Sequence, residues 1–282
     1  MSVDPKVLDF RAHGARRFEG KVCVVAGAGQ GIGSATARRF AQEGGIVVVA
    51  DIVKETADKV CQQLRDFGAT ATPFIGDLTS REVCVDLINS TRQEYGRIDA
   101  LANIVGGTIW GKWFWTYEPA QIEAEINKSF WPSLWLCWAV CPVMLEQKSG
   151  SIVNLSTHAV SSTYRVPYAA AKGGVMALTT SLAKELAPHN VRINVVAPHA
   201  TEAEDRVTSR THGYDSLTRT QTEEEKQESA EIVNQRRKFE IPMGRKGLSE
   251  EQAAAIVFLA SDDASFITGQ ILPVGGGATY PF

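Results

Sequence analysis

KVCVVAGAGQGIG, residues 21–33, decides the fold. Its first half is continuously apolar, the mark of a strand covered on both faces rather than on one. Its second half is a glycine loop that opens a helical pattern over 31–43. Gly27, Gly31 and Gly33 are spaced G-x-x-x-G-x-G. Without side chains at those positions the backbone turns tightly and comes close to a pyrophosphate seated on the helix N-terminus. The next strand, IVVVAD (46–51), ends in Asp51. A carboxylate there accepts hydrogen bonds from both ribose hydroxyls of a dinucleotide and repels a 2′-phosphate. No arginine or lysine lies in the loop or at position 52, so NAD is expected over NADP.

Outward from this stretch, strand-like runs alternate with amphipathic segments. Helices are expected over 54–67, 80–95, 119–147, 166–187 and 249–260. Strands are expected near 70–75, at ALANIVG (100–106), SIVNLST (151–157), RINVVAP (192–198) and ILPV (271–274). Such βα alternation predicts an α/β fold with a doubly wound parallel sheet, a Rossmann arrangement in three α/β/α layers. No repeat or composition break divides it, so a single domain is expected over 19–282. Residues 1–18 are polar and read as a flexible N-terminal arm. Residues 199–240, charged and inserted after a strand, read either as a substrate lid or as a surface excursion.

Bulk composition narrows the function. The 282 residues are 44% hydrophobic and 22% charged, with a net charge of −3, which predicts a soluble protein. That charge provides no field for nucleic acid or an anionic membrane surface. No apolar run approaches the ~20 residues of a membrane span. Residues 1–20 lack the apolar core of a signal peptide, so the cytoplasm is the expected location. The five cysteines (23, 61, 84, 137, 141) lack metal-ligand spacing and read as buried thiols in a reducing compartment. No metal is expected.

STHAVSSTYRVPYAAAK (156–172) carries the candidate chemistry. Tyr168 and Lys172 are i and i+4, so a helix projects both from one face. A phenol with a pKa near 10 is a poor base at neutral pH. Lowering it to about 7–8 takes roughly 3–4 kcal/mol of preferential phenolate stabilisation, which a neighbouring ammonium and an oxidised nicotinamide supply. The lysine also reaches a cofactor ribose. Tyr-x-x-x-Lys alone is common by chance; here it follows a strand ending in hydroxyls, in a chain that carries a nucleotide loop.

Together, AGAGQGIG, Asp51, Asp77, LANIVGG, SIVNLST, YAAAK, RINVVAP and ITGQILPVGGG resemble the short-chain dehydrogenase/reductase family over essentially residues 19–278. Within it, GGTIW (106–110), QIEAEI (121–126), MLEQ (144–147), RVPYAAAKGGV (165–175) and FITGQILPVGGG (266–277) are most similar to bacterial dehydrogenases of cis-dihydrodiol carboxylates of the benzoate or p-cumate type. The resemblance implies Tyr168 as general base, Lys172 as its partner and a catalytic hydroxyl at the end of the fifth strand. That position is Thr157, with Ser156 as the alternative; threonine keeps the O–H donor. The family's relay asparagine falls at Ser129, whereas Asn127 lies about 200° around the helix, which puts the relay in question. For the cofactor the resemblance implies Gly27, Gly29, Gln30, Gly31, Ile32, Gly33, Asp51, Asp77, Leu78, Asn103, Val105, Gly106, Pro198 and Thr201, with Tyr168 and Lys172. Asp77 reads equally as an adenine ligand or as a helix cap. The motif NNAG is altered to Asn103-Ile104-Val105-Gly106, and Pro-Gly to Pro198-His199.

For a substrate, Trp110, Trp113 and Trp115 lie in the loop after the fourth strand, where they can line a flat apolar pocket. Trp131, Trp135 and Trp138 have helical spacing and read as core or subunit interface. Arg165, three residues before Tyr168, suits a carboxylate, or a surface salt bridge. His199 has the position to contact cofactor or substrate. The resemblance implies a small-molecule diol carboxylate oxidised toward a catechol in aromatic compound degradation, by a homotetramer. Dehydrogenation of another secondary alcohol, ketone or sugar is the alternative, and a dinucleotide-sensing protein without catalysis is a third.

Overall fold

Seven parallel strands form one sheet in the order β3-β2-β1-β4-β5-β6-β9 in the computed structural model, which describes residues 16–203, 227 and 241–278. The strands are β1 (Val22–Ala26), β2 (Ile46–Asp51), β3 (Ala71–Ile75), β4 (Ala100–Asn103), β5 (Gly150–Leu155), β6 (Val191–Pro198) and β9 (Ile271–Val274). Successive residues of β1 feed opposite layers. Cys23 and Val25 pack with Phe40, Ala57 and Leu64, while Val24 and Ala26 pack with Leu87, Leu136 and Val140. That two-sided burial is why the strands read as unbroken apolar runs. One layer is α1 (Gly31–Gln42), α2 (Lys54–Asp66) and α7 (Ser249–Ala260); the other holds α3 (Arg81–Tyr95), α5 (Trp131–Gln147) and α6 (Val166–Leu186).

The helix expected over 119–147 is two helices, α4 (Pro119–Ser129) and α5, broken at Phe130. Pro132 has no N–H to donate back to Lys128, and its ring crowds that carbonyl, which favours the break at Phe130. The strand expected over 100–106 ends at Asn103. Four cysteines are buried, but Cys141 is only half-buried, and all five are free thiols.

Most of the expected arm 1–18 lies outside the described residues. The part that is described is packed, not loose: Phe18 meets Phe40 edge-on at 4.7 Å. Arg17 holds Glu43 by bonds of 2.6 and 2.8 Å and Asp263 at 2.9 Å, and Arg39 reaches Glu43 at 2.6 Å. Burial pushes the Glu43 carboxyl up, but the two guanidiniums outweigh it and hold it below its ordinary range. The expected lid 199–240 lies outside the described residues except at its start and at residue 227. Its flanks meet where β7 (Thr201–Glu202) pairs in parallel with β8 (Gly247–Leu248). No helix among the described residues is long and apolar enough to cross a membrane.

Candidate active site

The sheet order reverses between β1 and β4, so the loops leaving their carboxyl ends diverge and open a crevice. Both loops are drawn close at its floor. A Cβ added at Gly27 would lie 3.1 Å from Val105 N, and one at Gly33 would run into the carbonyl oxygen of Gly27. The glycines are therefore required by close approach, and α1 begins with its first N–H groups aimed into the crevice. Asp51 closes β2 beside this loop: Oδ2 accepts from Gly29 N–H at 2.8 Å and Oδ1 from Val53 N–H at 3.1 Å. Each oxygen keeps lone pairs for further donors. The nearest cation downstream in sequence, Lys54, is paired with Asp58.

Asp77 is not the cap of α3. Ser80 is, accepting from Val83 N–H at 3.4 Å. The Asp77 carboxylate accepts from the Thr79 N–H and hydroxyl at 3.0 and 2.8 Å and stays exposed at the crevice edge. The side chains of Leu78 and Asn103 are both turned inward. The Leu78 side chain belongs to the core cluster of Val24 and Cys84. Asn103 is turned into the sheet, donating from Nδ2 to Asn154 Oδ1 at 2.7 Å, and Asn154 donates in turn to Thr179 at 2.9 Å. Pro198 ends β6 buried, and Thr201 donates to His199 O at 3.1 Å. Gln30, at the N-cap of α1, and Ile32, packed on the core below the loop, stay with the glycines.

Tyr168 and Lys172 lie on α6 as expected. Lys172 is 2% exposed, and Nζ donates to Leu155 O at 2.7 Å and Val105 O at 3.2 Å, bridging the ends of β5 and β4. A Cβ on Gly106 would come within 2.8 Å of Nζ. Burial drives the lysine down from its usual value to about 7. Tyr168, one turn nearer the start of α6, is only partly buried. The two candidate hydroxyls separate cleanly. Ser156 Oγ donates to Lys172 O at 2.7 Å, which commits its proton to the helix backbone. Thr157 Oγ1 accepts from Ala159 N–H at 3.1 Å, which leaves its own proton to donate to a substrate oxygen. Ser129 is fully buried and accepts from Gly107 N–H at 3.4 Å, a brace for the loop after β4. Asn127 is exposed.

A crevice at the reversal, a glycine-cradled helix start and a buried lysine one turn past a tyrosine agree with sequence similarity over nearly the whole chain. The family model of short chain dehydrogenases matches residues 21–213. The chain belongs to this family. As a short-chain dehydrogenase it is an oxidoreductase acting on CH–OH groups, and the family uses a nicotinamide dinucleotide. It is similar, at 43% identity over 93% of its length and 94% of the relative's, to 1,6-dihydroxycyclohexa-2,4-diene-1-carboxylate dehydrogenase of Pseudomonas putida. The like-named enzyme of Acinetobacter baylyi is 42% identical over 93% of this chain and 97% of its own. A solved 7α-hydroxysteroid dehydrogenase complexed with NADH and 7-oxo glycochenodeoxycholic acid superposes with a TM-score of 0.79 at 28% identity, covering 94% of this chain and 96% of that one. The dehydrogenase has the residues such a cofactor needs: the Gly27–Gly33 cradle would be filled by any side chain, and Asp51 keeps acceptor capacity for a ribose.

Around the dehydrogenase's substrate space, Trp110 departs from the expected pocket wall. It is 1% exposed, packed with Ile109, Tyr117 and Ala124, and presents no face to a ring. Trp113 and Trp115 are exposed and stacked at 4.9 Å. Arg165 sits at the N-cap of α6. His199 meets His158 edge-on at 4.7 Å, and His158 Nε2 lies 3.3 Å from Ala278 O, so the C-terminal segment closes this side. Sequence reasoning passed over His158 and Glu125. Glu125 and Ser129 are i and i+4 in EINKS, a spacing that puts both on one helix face.

Proposed function

We propose that this dehydrogenase oxidises a cyclohexadiene cis-diol carboxylate with NAD, giving a keto acid that loses carbon dioxide to become a catechol. Identity along almost the whole chain to the two diol carboxylate dehydrogenases carries the reading. The site's chemistry fits it. Thr157 donates a hydrogen bond to the reacting hydroxyl oxygen, and Tyr168 takes the hydroxyl proton. Lys172, one helix turn on, favours the phenolate in its protonated form, which the Leu155 and Val105 carbonyls support against the effect of burial. The 27–33 loop, Asp51 and Lys172 would hold NAD, which would supply the hydride acceptor. The keto group so formed is β to the carboxylate. Breaking the C–C bond sends its electron pair into the carbonyl as an enol, and the ring becomes aromatic.

Arg165 is the group of this chain suited to the substrate carboxylate, three residues from Tyr168 at the start of the same helix. Trp113 and Trp115, exposed and stacked on each other, offer apolar faces for a ring. Asp51 favours NAD by repelling a 2′-phosphate. The oligomer belongs to the same reading: α5 stacks Trp131 on Trp135 at 5.1 Å and turns Trp138 outward, a face suited to a second copy in a homotetramer. The free thiols suit a reducing cytoplasm.

The test is turnover, followed by NADH absorbance, on the diol carboxylate, on the same diol without its carboxylate, and on simple secondary alcohols. The carboxylated diol should give the highest kcat/KM. Arg165→Ala should raise its KM about tenfold or more, as loss of a charge-assisted pair does, with the neutral diol little changed. Equal effects on both diols contradict the receptor role, and a preference for another alcohol contradicts the substrate.

A further inference from the structure

Glu125 takes no part in the proton transfer, yet it is an acid 0% exposed on α4. Its Oε1 accepts from Ile109 N–H at 2.8 Å and from Trp110 N–H at 2.9 Å, and the Thr108 hydroxyl, which donates to Trp110 O at 2.9 Å, lies 3.4 Å from it. One turn later on the same face, Ser129 accepts from Gly107 N–H. Backbone donors of the loop after β4 are thus satisfied by two side chains of one helix, in a place water does not reach. Glu125 Oε2 has no hydrogen-bond partner among the described residues. Burial pushes this carboxyl above its ordinary range, against the pull of the Trp110 and Ile109 N–H groups. A half-satisfied buried acid is costly, and here the cost goes into the order of one loop.

The restraint extends beyond Trp110. The Tyr117 hydroxyl lies 3.1 Å from Trp110 O and 3.1 Å from Tyr164 O. Lys112 N–H donates to Tyr164 O at 2.9 Å, and the Trp113 ring lies 4.5 Å from the Tyr164 ring. Tyr164 has φ 66°, uncommon for a residue with a side chain. The next residue is Arg165, the N-cap of α6.

We propose that Glu125 is a positioning residue for substrate selectivity. It locks the 107–117 loop and, through Tyr117 and Tyr164, fixes the backbone from which Arg165 meets the substrate carboxylate. The proposal rests on the reading of Arg165 as that receptor. Two groups on different elements, a buried acid in α4 and a guanidinium at the start of α6, then act as one specificity device.

The experiment pairs kinetics on the carboxylated and neutral diols with hydrogen exchange at the Ile109 and Trp110 amides. Glu125→Ala should speed that exchange and raise KM for the carboxylated diol about tenfold, with kcat, KM for NAD and KM for the neutral diol within about twofold. Glu125→Gln, which keeps an acceptor in place of Oε1, should restore KM to within about threefold. Tyr117→Phe removes the hydroxyl contact with Tyr164 O without opening a cavity and leaves the Lys112 N–H bond to Tyr164 O in place; it should raise the same KM in the same direction by a smaller factor, and it decides the matter if Glu125→Ala does not fold. Faster exchange with an unchanged KM ratio, or an equal rise for both diols, overturns the proposal. Arg165→Ala measured alongside separates the two failures. If that variant loses its preference for the carboxylated diol, the receptor stands and only the role of Glu125 falls. If it does not, the receptor falls and the selectivity role goes with it.

Discussion

Ser156 and Thr157 are neighbours in sequence, yet their hydroxyls do different work. The serine proton is spent on Lys172 O inside α6, and the threonine proton is available at the crevice. Thr157→Val should therefore lower kcat by about 10²–10³, the scale of one lost oxyanion-type donor, with KM for NAD unchanged. Ser156→Ala should keep most of kcat and lower stability by about 1–2 kcal/mol, the scale of a buried hydrogen bond. Steady-state kinetics and thermal unfolding of the two variants check both; a Ser156→Ala variant as inactive as Thr157→Val would reverse the assignment. The placement of Tyr168 and Lys172 on one helix was legible because i, i+4 spacing fixes the face they share, and that of Asp51 because it closes an apolar strand. The inward turn of Asn103 was not, since it depends on Asn154, 51 residues away. Nor was the burial of Trp110, because loop conformation is set by Glu125 on a separate helix and carries no periodicity of its own.

The β1–loop–α1 unit and the end of β2 were read directly from sequence, because glycine spacing and a terminal carboxylate report backbone geometry. The α4–α5 break was missed as an element although Pro132 stood in plain view: an apolar pattern running through 119–147 outweighed one local steric conflict. At the end of β2, the proposed selectivity between dinucleotides rests on the Asp51 charge. Asp51→Ala combined with Ile52→Arg should move the ratio of kcat/KM for NADP over NAD upward by about 10² or more, from the loss of a repulsion and the gain of a phosphate pair. An unchanged ratio in initial-rate measurements would mean that this carboxylate does not face the ribose. Because Asp51 also ties Gly29 and Val53 together, a modest loss of overall cofactor affinity should accompany the switch.

At the scale of the whole molecule, the doubly wound sheet was legible because both its faces are covered, which turns every strand into an apolar run. The boundary of the N-terminal arm was not, because the pairing of Arg17 with Glu43 and Asp263 and of Phe18 with Phe40 joins segments far apart in the chain. The layers bring together what no single element holds. β4 and β5 supply carbonyls, α6 supplies the phenol and the lysine, and α4 braces the loop between them. The reversal of strand order opens a crevice at the carboxyl ends of β1 and β4. Conversion of Tyr168 to Phe tests this arrangement most directly, with turnover of the diol carboxylate and NAD affinity measured on the same preparation. The account predicts a fall in kcat of about 10² or more from loss of the general base, with NAD affinity within about twofold; turnover unchanged by the substitution would contradict it.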